Sequence, residues 1–169
     1  MLKVLLPTDG SANSLLAARH VIAEYPRHQA LELHLLNVQP RLYSHIARFV
    51  DRQDRRAWQQ ARAEAAMASA CAALTRAGVP HQTHWAAGDR ASEICRSAQA
   101  LGVHHIVMAT ARKSSITRML DDSVTNGVLE ATTVPVEVVS GEAGSKWERW
   151  GLRAGAVAGA SGIMWLALD

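Results

Sequence analysis

Short apolar runs alternate with helix-forming stretches over the first 140 residues, and that alternation leaves few folds open. Leu2–Leu6, Leu31–Val38, His81–Ala87, Ile106–Ala109 and Val136–Val139 read as strands. The first is continuous apolar sequence with a single Lys, the pattern of a strand buried on both faces. A helix is expected over Ala12–Tyr25, where Leu15, Leu16, Ala18, Val21 and Ile22 fall on one face before Pro26 stops it. A second, rich in Ala, Arg, Gln and Glu, is expected over Asp51–Ala77, with Gly78 just past its end. A third spans Ala91–Leu101, and a fourth opens at Ser123 and ends near Thr133. Tyr43–Val50 shows no clear period. The order βαβαβαβαβ predicts an α/β fold, a parallel five-stranded sheet with helices on both faces. Right-handed crossovers favour the flavodoxin-like strand order 3-2-1-4-5. In that order the ends of the first and fourth strands lie side by side at the switch point where ligands bind. Asp9 and the loop from Thr110 to Ser115 then form opposite lips of one cleft.

The stretch from Ile106 to Val139 concentrates the chemistry: an apolar strand, a basic polar loop, a helix opening at Ser123 and, after Pro135, a last strand. Helix N-termini in such a place present unpaired N–H groups and a positive dipole end to anions. At the other lip, Thr8-Asp9-Gly10-Ser11 is a tight turn, with Ser11 placed to cap the first helix.

Composition narrows the function classes. The net charge of +3 and pI near 9.2 are mildly basic, and no long Lys/Arg run carries interleaved aromatics, so no nucleic-acid partner is expected. The charge cluster Asp51–Arg56 reads as a solvated face. Cys71 and Cys95 form no C-x-x-C pair and read as small buried thiols in a reducing compartment. His81 with His84, and His104 with His105, would point to opposite faces of their strands, and no metal site is expected. The N-terminus lacks the features of a signal peptide, so the body is expected in the cytoplasm. No nucleophile–base pair stands out, so no catalytic residue is assigned and the chain is not expected to be an enzyme.

Three segments carry a family resemblance. LLPTDGSANSLLAARHVI resembles the opening strand, Asp-Gly-Ser turn and first helix of the universal stress protein family. AAGDRASEICRSAQALGVHHIVMAT is similar to its third strand, Gly-Asp turn, third helix and fourth strand, and TTVPVEVV to its closing strand. The resemblance covers about Met1 to Ser140 and implies a fold like the adenine nucleotide alpha hydrolases. Nucleotide-binding members carry G-x2-G-x9-G-[ST] after the fourth strand. Here the glycine positions fall on Ala109, Arg112 and Asp122, and only the hydroxyl position, Ser123, is kept. Asp122 sets a carboxylate beside the expected phosphate site. At ~4 Å and an effective dielectric of ~20, like charges repel by on the order of 4 kcal/mol before salt screening. That is roughly a thousandfold in affinity. The resemblance thus implies a dimeric stress-response module that works by binding a protein partner, with ATP binding weak or lost and no cofactor. The alternative is an adenine-nucleotide sensor or slow ATPase of the same family. ATP with Mg²⁺ would then be held by Asp9, Gly88, Ala109, Arg112, Lys113 and Ser123. Each residue also has a plain role: Asp9 and Gly88 in turns, Ser123 as a cap, Arg112 and Lys113 as solvated loop charges. In this family the last strand, here Val136, Glu137, Val138 and Val139, pairs across a homodimer.

Beyond Ser140 the chain departs from the family. A linker, Gly141–Ser145, leads to an apolar Gly/Ala-rich segment ending at Asp169, so residues 141–169 are set apart from the 1–140 domain. Gly151, Gly155 and Gly159 share one helix face, as in close-packed membrane helices. Ala154–Leu168 is shorter than the roughly 20 residues a span needs. Two readings stay open: a tether to the inner face of the membrane, and a helix docked on protein.

Overall fold

The computed structural model describes residues 1–24, 30–41, 51–110 and 123–140. Five strands and four helices alternate: β1 (Leu2–Pro7), α1 (Ala12–Glu24), β2 (Leu31–Gln39), α2 (Arg52–Arg76), β3 (His81–Ala87), α3 (Arg90–Leu101), β4 (His105–Thr110), α4 (Ser123–Ala131) and β5 (Val136–Ser140). All pairings are parallel and the sheet order is β3-β2-β1-β4-β5, the flavodoxin-like order expected from the alternation. β4 begins at His105 and ends at Thr110, one residue longer at each end than its apolar run, because the ladder to β5 extends through Thr110. The tail from Gly141 onward, and with it both readings of that segment, lies outside the described residues. No helix among the described residues is long and apolar enough to cross a membrane.

Strand pleating sorts the core into two layers. Val4, Leu6, Leu33, Leu35 and Val107 face one way and pack under α1 and α2 with Val21, Met67 and Leu74. Leu5, Leu36, Ile106 and Met108 face the other way and pack under α3 and α4 with Ile94 and Val128. Both sides of β1 are thus buried, which its unbroken apolar sequence required. Cys95 is buried with its thiol 4.0 Å from the Val128 carbonyl, whereas Cys71 is only half-buried. Burial pushes both thiols above their ordinary pKa.

Turns and caps set where each helix starts. Asp51 caps α2 by accepting from the Arg52 N–H, and Asp89 caps α3 by accepting from Ser92 N at 3.0 Å. Gly78 follows α2 with φ +71, the left-handed conformation expected of it. The histidines of the two pairs meet different partners. His104 Nδ1 accepts from Lys3 N at 3.0 Å, while His105 Nε2 lies 3.3 Å from Glu137, which also meets His20 Nε2 at 2.6 Å. His84 pairs across strands with buried His34, ring nitrogens 3.0 Å apart. Among the described residues no group of three or more His, Cys, Asp or Glu is arranged to hold a metal.

Two outcomes follow from this packing. Ile106 is fully buried in the layer under α3 and α4. Ile106→Ala is expected to lower stability by about 2–5 kcal/mol, read as a fall in the urea midpoint at unchanged slope. Burial, and then the adjacent His34 ring, lowers the His84 pKa below 6.5. The unfolded chain therefore takes up that proton more readily. The stability tied to neutral His84 is complete above the unfolded value and is lost as pH falls through the lower folded value. Unfolding titrations at pH 7 and pH 5 should show a loss at pH 5 that shrinks in His84→Gln; an equal loss in that variant would contradict this account.

Candidate functional site

The sheet reverses its winding between β1 and β4, so the helices leaving these two strands diverge and open a crevice at their carboxyl ends. A cavity of about 240 Å³ lies there. Its floor is apolar: Leu36 and Val38 from β2, Ile94 from α3 and Met108 from β4. One lip is the turn after β1, with Thr8, Asp9, Ser11, Asn13 and Ser14. The other is formed by Ala109, Thr110 and the first turn of α4, through Val124 and Thr125. Arg90, at the start of α3, brings the one positive charge among the described lining residues.

The turn after β1 is sterically exacting. Gly10 has φ +83, and a Cβ there would lie 3.0 Å from the Ala66 carbonyl oxygen and 3.2 Å from its Cα. Only glycine combines that conformation with so close an approach to α2. The turn directs the Asp9 carboxylate to the rim, where Oδ1 accepts from Ser11 N at 2.9 Å. Burial alone would raise the Asp9 pKa. Hydrogen bonding from Ser11, its N–H included, outweighs it and holds the group below its ordinary value, so it is ionised.

Behind the lip, buried polar groups tie the strand ends together. The Thr8 hydroxyl donates to Ser14 Oγ at 3.0 Å, and Ser14 Oγ donates to the Ser11 carbonyl at 2.9 Å. Asn37 Nδ2 donates to the Thr8 carbonyl at 2.7 Å, and Gln39 Nε2 to Asn37 Oδ1 at 2.6 Å. On the far wall, α3 and α4 dock closely. A Cβ on Gly127 would lie 2.9 Å from the Ala91 methyl.

Asp9 and Ala109 thus both line the cavity, on opposite lips. Gly88 stands elsewhere: its N–H donates to the Gln39 carbonyl at 3.0 Å, and a Cβ on it would lie 2.6 Å from Glu93 Oε1, so its smallness makes room for Glu93. Ser123 begins α4, one residue before the lining pair Val124 and Thr125. Arg112, Lys113 and Asp122 lie outside the described residues. Sequence reasoning missed Arg90, Val38, Val124 and Thr125. Arg90 follows the helix-capping Asp89, a position that a strand-end turn directs toward the crevice, and that was the available signal.

An apolar floor, an ionised carboxylate at one lip and hydroxyls on both lips suit a flat ring with polar edges. Among the described residues the charged groups lining the cavity are Asp9 and Arg90.

Comparison with known proteins agrees with this geometry. A search of curated proteins finds no match. Among solved structures, the protein MJ0577 is similar over 83% of this chain and 96% of its own, at 26% identity and a TM-score of 0.67. An Arabidopsis thaliana universal stress protein family member, solved with AMP bound, is similar over 83% of this chain and 92% of its own, at 16% identity and a TM-score of 0.59. A universal stress protein of Archaeoglobus fulgidus, solved with dAMP, is similar over 82% and 97%, at 15% identity and a TM-score of 0.60. The family model described as "Universal stress protein family" matches residues 1–140, the whole of the sheet and its helices, and the chain belongs to that family.

Proposed function

We propose that the chain is a stress-response module that acts by binding and dimerisation without turnover. Its cleft accepts the nucleoside end of an adenine nucleotide and disfavours a triphosphate. The observation that carries this reading is the contrast between the two lips. Asp9 is held ionised over an apolar floor, suited to the hydroxyls or N–H groups of a nucleoside. The phosphate side bears Ala109, Arg112 and Asp122 at the three positions where nucleotide-binding members have glycine. Ala109 puts a methyl where backbone would approach a phosphate, and Asp122 adds a like charge. Relatives solved with AMP and dAMP support a nucleoside site in this fold.

The second reading, a nucleotide sensor or slow ATPase using Mg²⁺, rests on Arg90 in the cleft and on Arg112 and Lys113 in the adjoining loop. Calorimetry separates the two. AMP is expected to bind at least as tightly as ATP with Mg²⁺, and Asp9→Ala to weaken AMP by about tenfold, the worth of one charge-assisted hydrogen bond. Asp122→Gly is expected to strengthen ATP and leave AMP unchanged. Tight ATP binding that weakens in Arg112→Ala would establish the sensor instead.

Dimerisation is proposed through β5. Among the described residues this strand pairs only with β4 and forms one edge of the sheet. Val136 turns toward the layer under α4 and Val139 toward the layer under α1. Glu137 is drawn to His20 and His105, and Val138 is 41% exposed. An uncovered apolar edge invites a second strand. Val138→Asp is expected to convert a dimer to a monomer in light scattering; a wild-type chain that is already monomeric would end the proposal. Fractionation of cells tests the tail: recovery wholly in the soluble fraction removes the membrane tether and leaves a helix docked on protein.

A further inference from the structure

The arginines at the start of α2 read from sequence as a solvated face, but the fold gathers them around a trough away from the nucleoside cleft. Arg52, Arg55, Arg56 and Gln59 are spaced so that the first two turns of α2 project them toward one side. Arg41, which follows β2, joins them, and Trp85 of β3 forms part of the base of a cavity of about 580 Å³. Gln59 Nε2 donates to the Pro40 carbonyl at 3.1 Å and so ties the segment bearing Arg41 to α2.

Charge balance sets this trough apart from Lys3 and Arg96. Lys3 pairs with Glu32, and Arg96 with Glu93. Among the described residues no carboxylate lines the trough, and none pairs with Arg41, Arg52, Arg55 or Arg56. Asp51 is engaged in capping α2, and Asp54, in the first turn, makes no ion pair with these arginines among the described residues. Residues 42–50, which lead into the helix, contain no Asp or Glu. The guanidinium of Arg56 lies 5.9 Å from the centroid of the Trp85 ring, a contact that orders the group without neutralising it. The positive end of the 25-residue helix α2 adds to the same field.

We infer that this trough binds a ligand carrying two or more adjacent phosphate groups. Guanidinium forks match phosphate oxygens in pairs, and one or two forks satisfy a single phosphate. Four around one trough, unpaired with carboxylates, match a chain of them. The ligand is small: the trough is bounded by α2 and β3, and a single half-buried tryptophan supplies no run of stacking surfaces for successive bases of a nucleic acid strand.

Calorimetry on the full chain tests this with inorganic tripolyphosphate at low ionic strength. Binding is expected that weakens as salt rises, with orthophosphate weaker by about tenfold or more. Arg52→Ala/Arg56→Ala should lose at least about tenfold in affinity, and Arg41→Ala, outside any helix, should weaken binding with an unchanged melting temperature. Asp9→Ala and Arg112→Ala should leave it intact, which separates this site from the nucleoside cleft and its loop. Absence of binding by the folded wild-type chain overturns the inference, as does affinity unchanged in both the double variant and Arg41→Ala. A short single-stranded oligonucleotide that outcompetes tripolyphosphate in the trough would overturn the small-ligand assignment.

Discussion

The carboxyl end of β1 is the point on which the rest depends. β1 is enclosed between β2 and β4 and covered on both faces, so polar groups at its end must find partners inside the protein. They do so through Thr8, Ser14, Asn37 and Gln39, whose hydrogen bonds run between 2.6 and 3.0 Å. That network fixes the exit of β1 relative to β2 and to α1. It thereby sets the turn that carries Asp9. Gly10 completes the constraint, because its backbone passes within reach of the Ala66 carbonyl on α2. Stability and site geometry are thus served by the same few atoms.

The site divides into a part built by the sheet and a part built by the loop after β4. The sheet part is an apolar floor with one ionised carboxylate. The loop part carries Arg112 and Asp122, at two of the three positions where nucleotide-binding members have glycine. Family membership brings the expectation of a nucleotide, yet the glycines that give phosphate access are replaced at all three positions. The fold and its ligand chemistry are therefore separable in this chain, as they are in other folds that host several functions.

Much of the fold was legible because strand and helix periods differ and alternate cleanly. The unbroken apolar run of β1 announced a central strand, and β5 after Pro135 announced a closing one. Asp9 and Thr110, the first residue of the facing loop, could be set on opposite lips because strand order alone brings the two strand ends together. Features that depend on which side chains meet across strands were not legible. His34 and His84 are 50 positions apart and read as unrelated until β2 and β3 align. Asn37 and Gln39 interrupt an apolar strand without showing what they bind. Gly88 read as a turn residue or an ATP contact, and nothing in the sequence showed that Glu93 occupies the space a side chain would need. Arg90 was passed over because a lone arginine after a cap carries no period. The arginines of α2 looked like a solvated surface because Arg41 and Trp85, which complete the trough, come from distant parts of the sequence.

The close approach of Gly127 to Ala91 has a mechanical corollary. Any side chain at residue 127 would press on the Ala91 methyl and push α4 away from α3, parting Thr125 from Arg90 across the crevice.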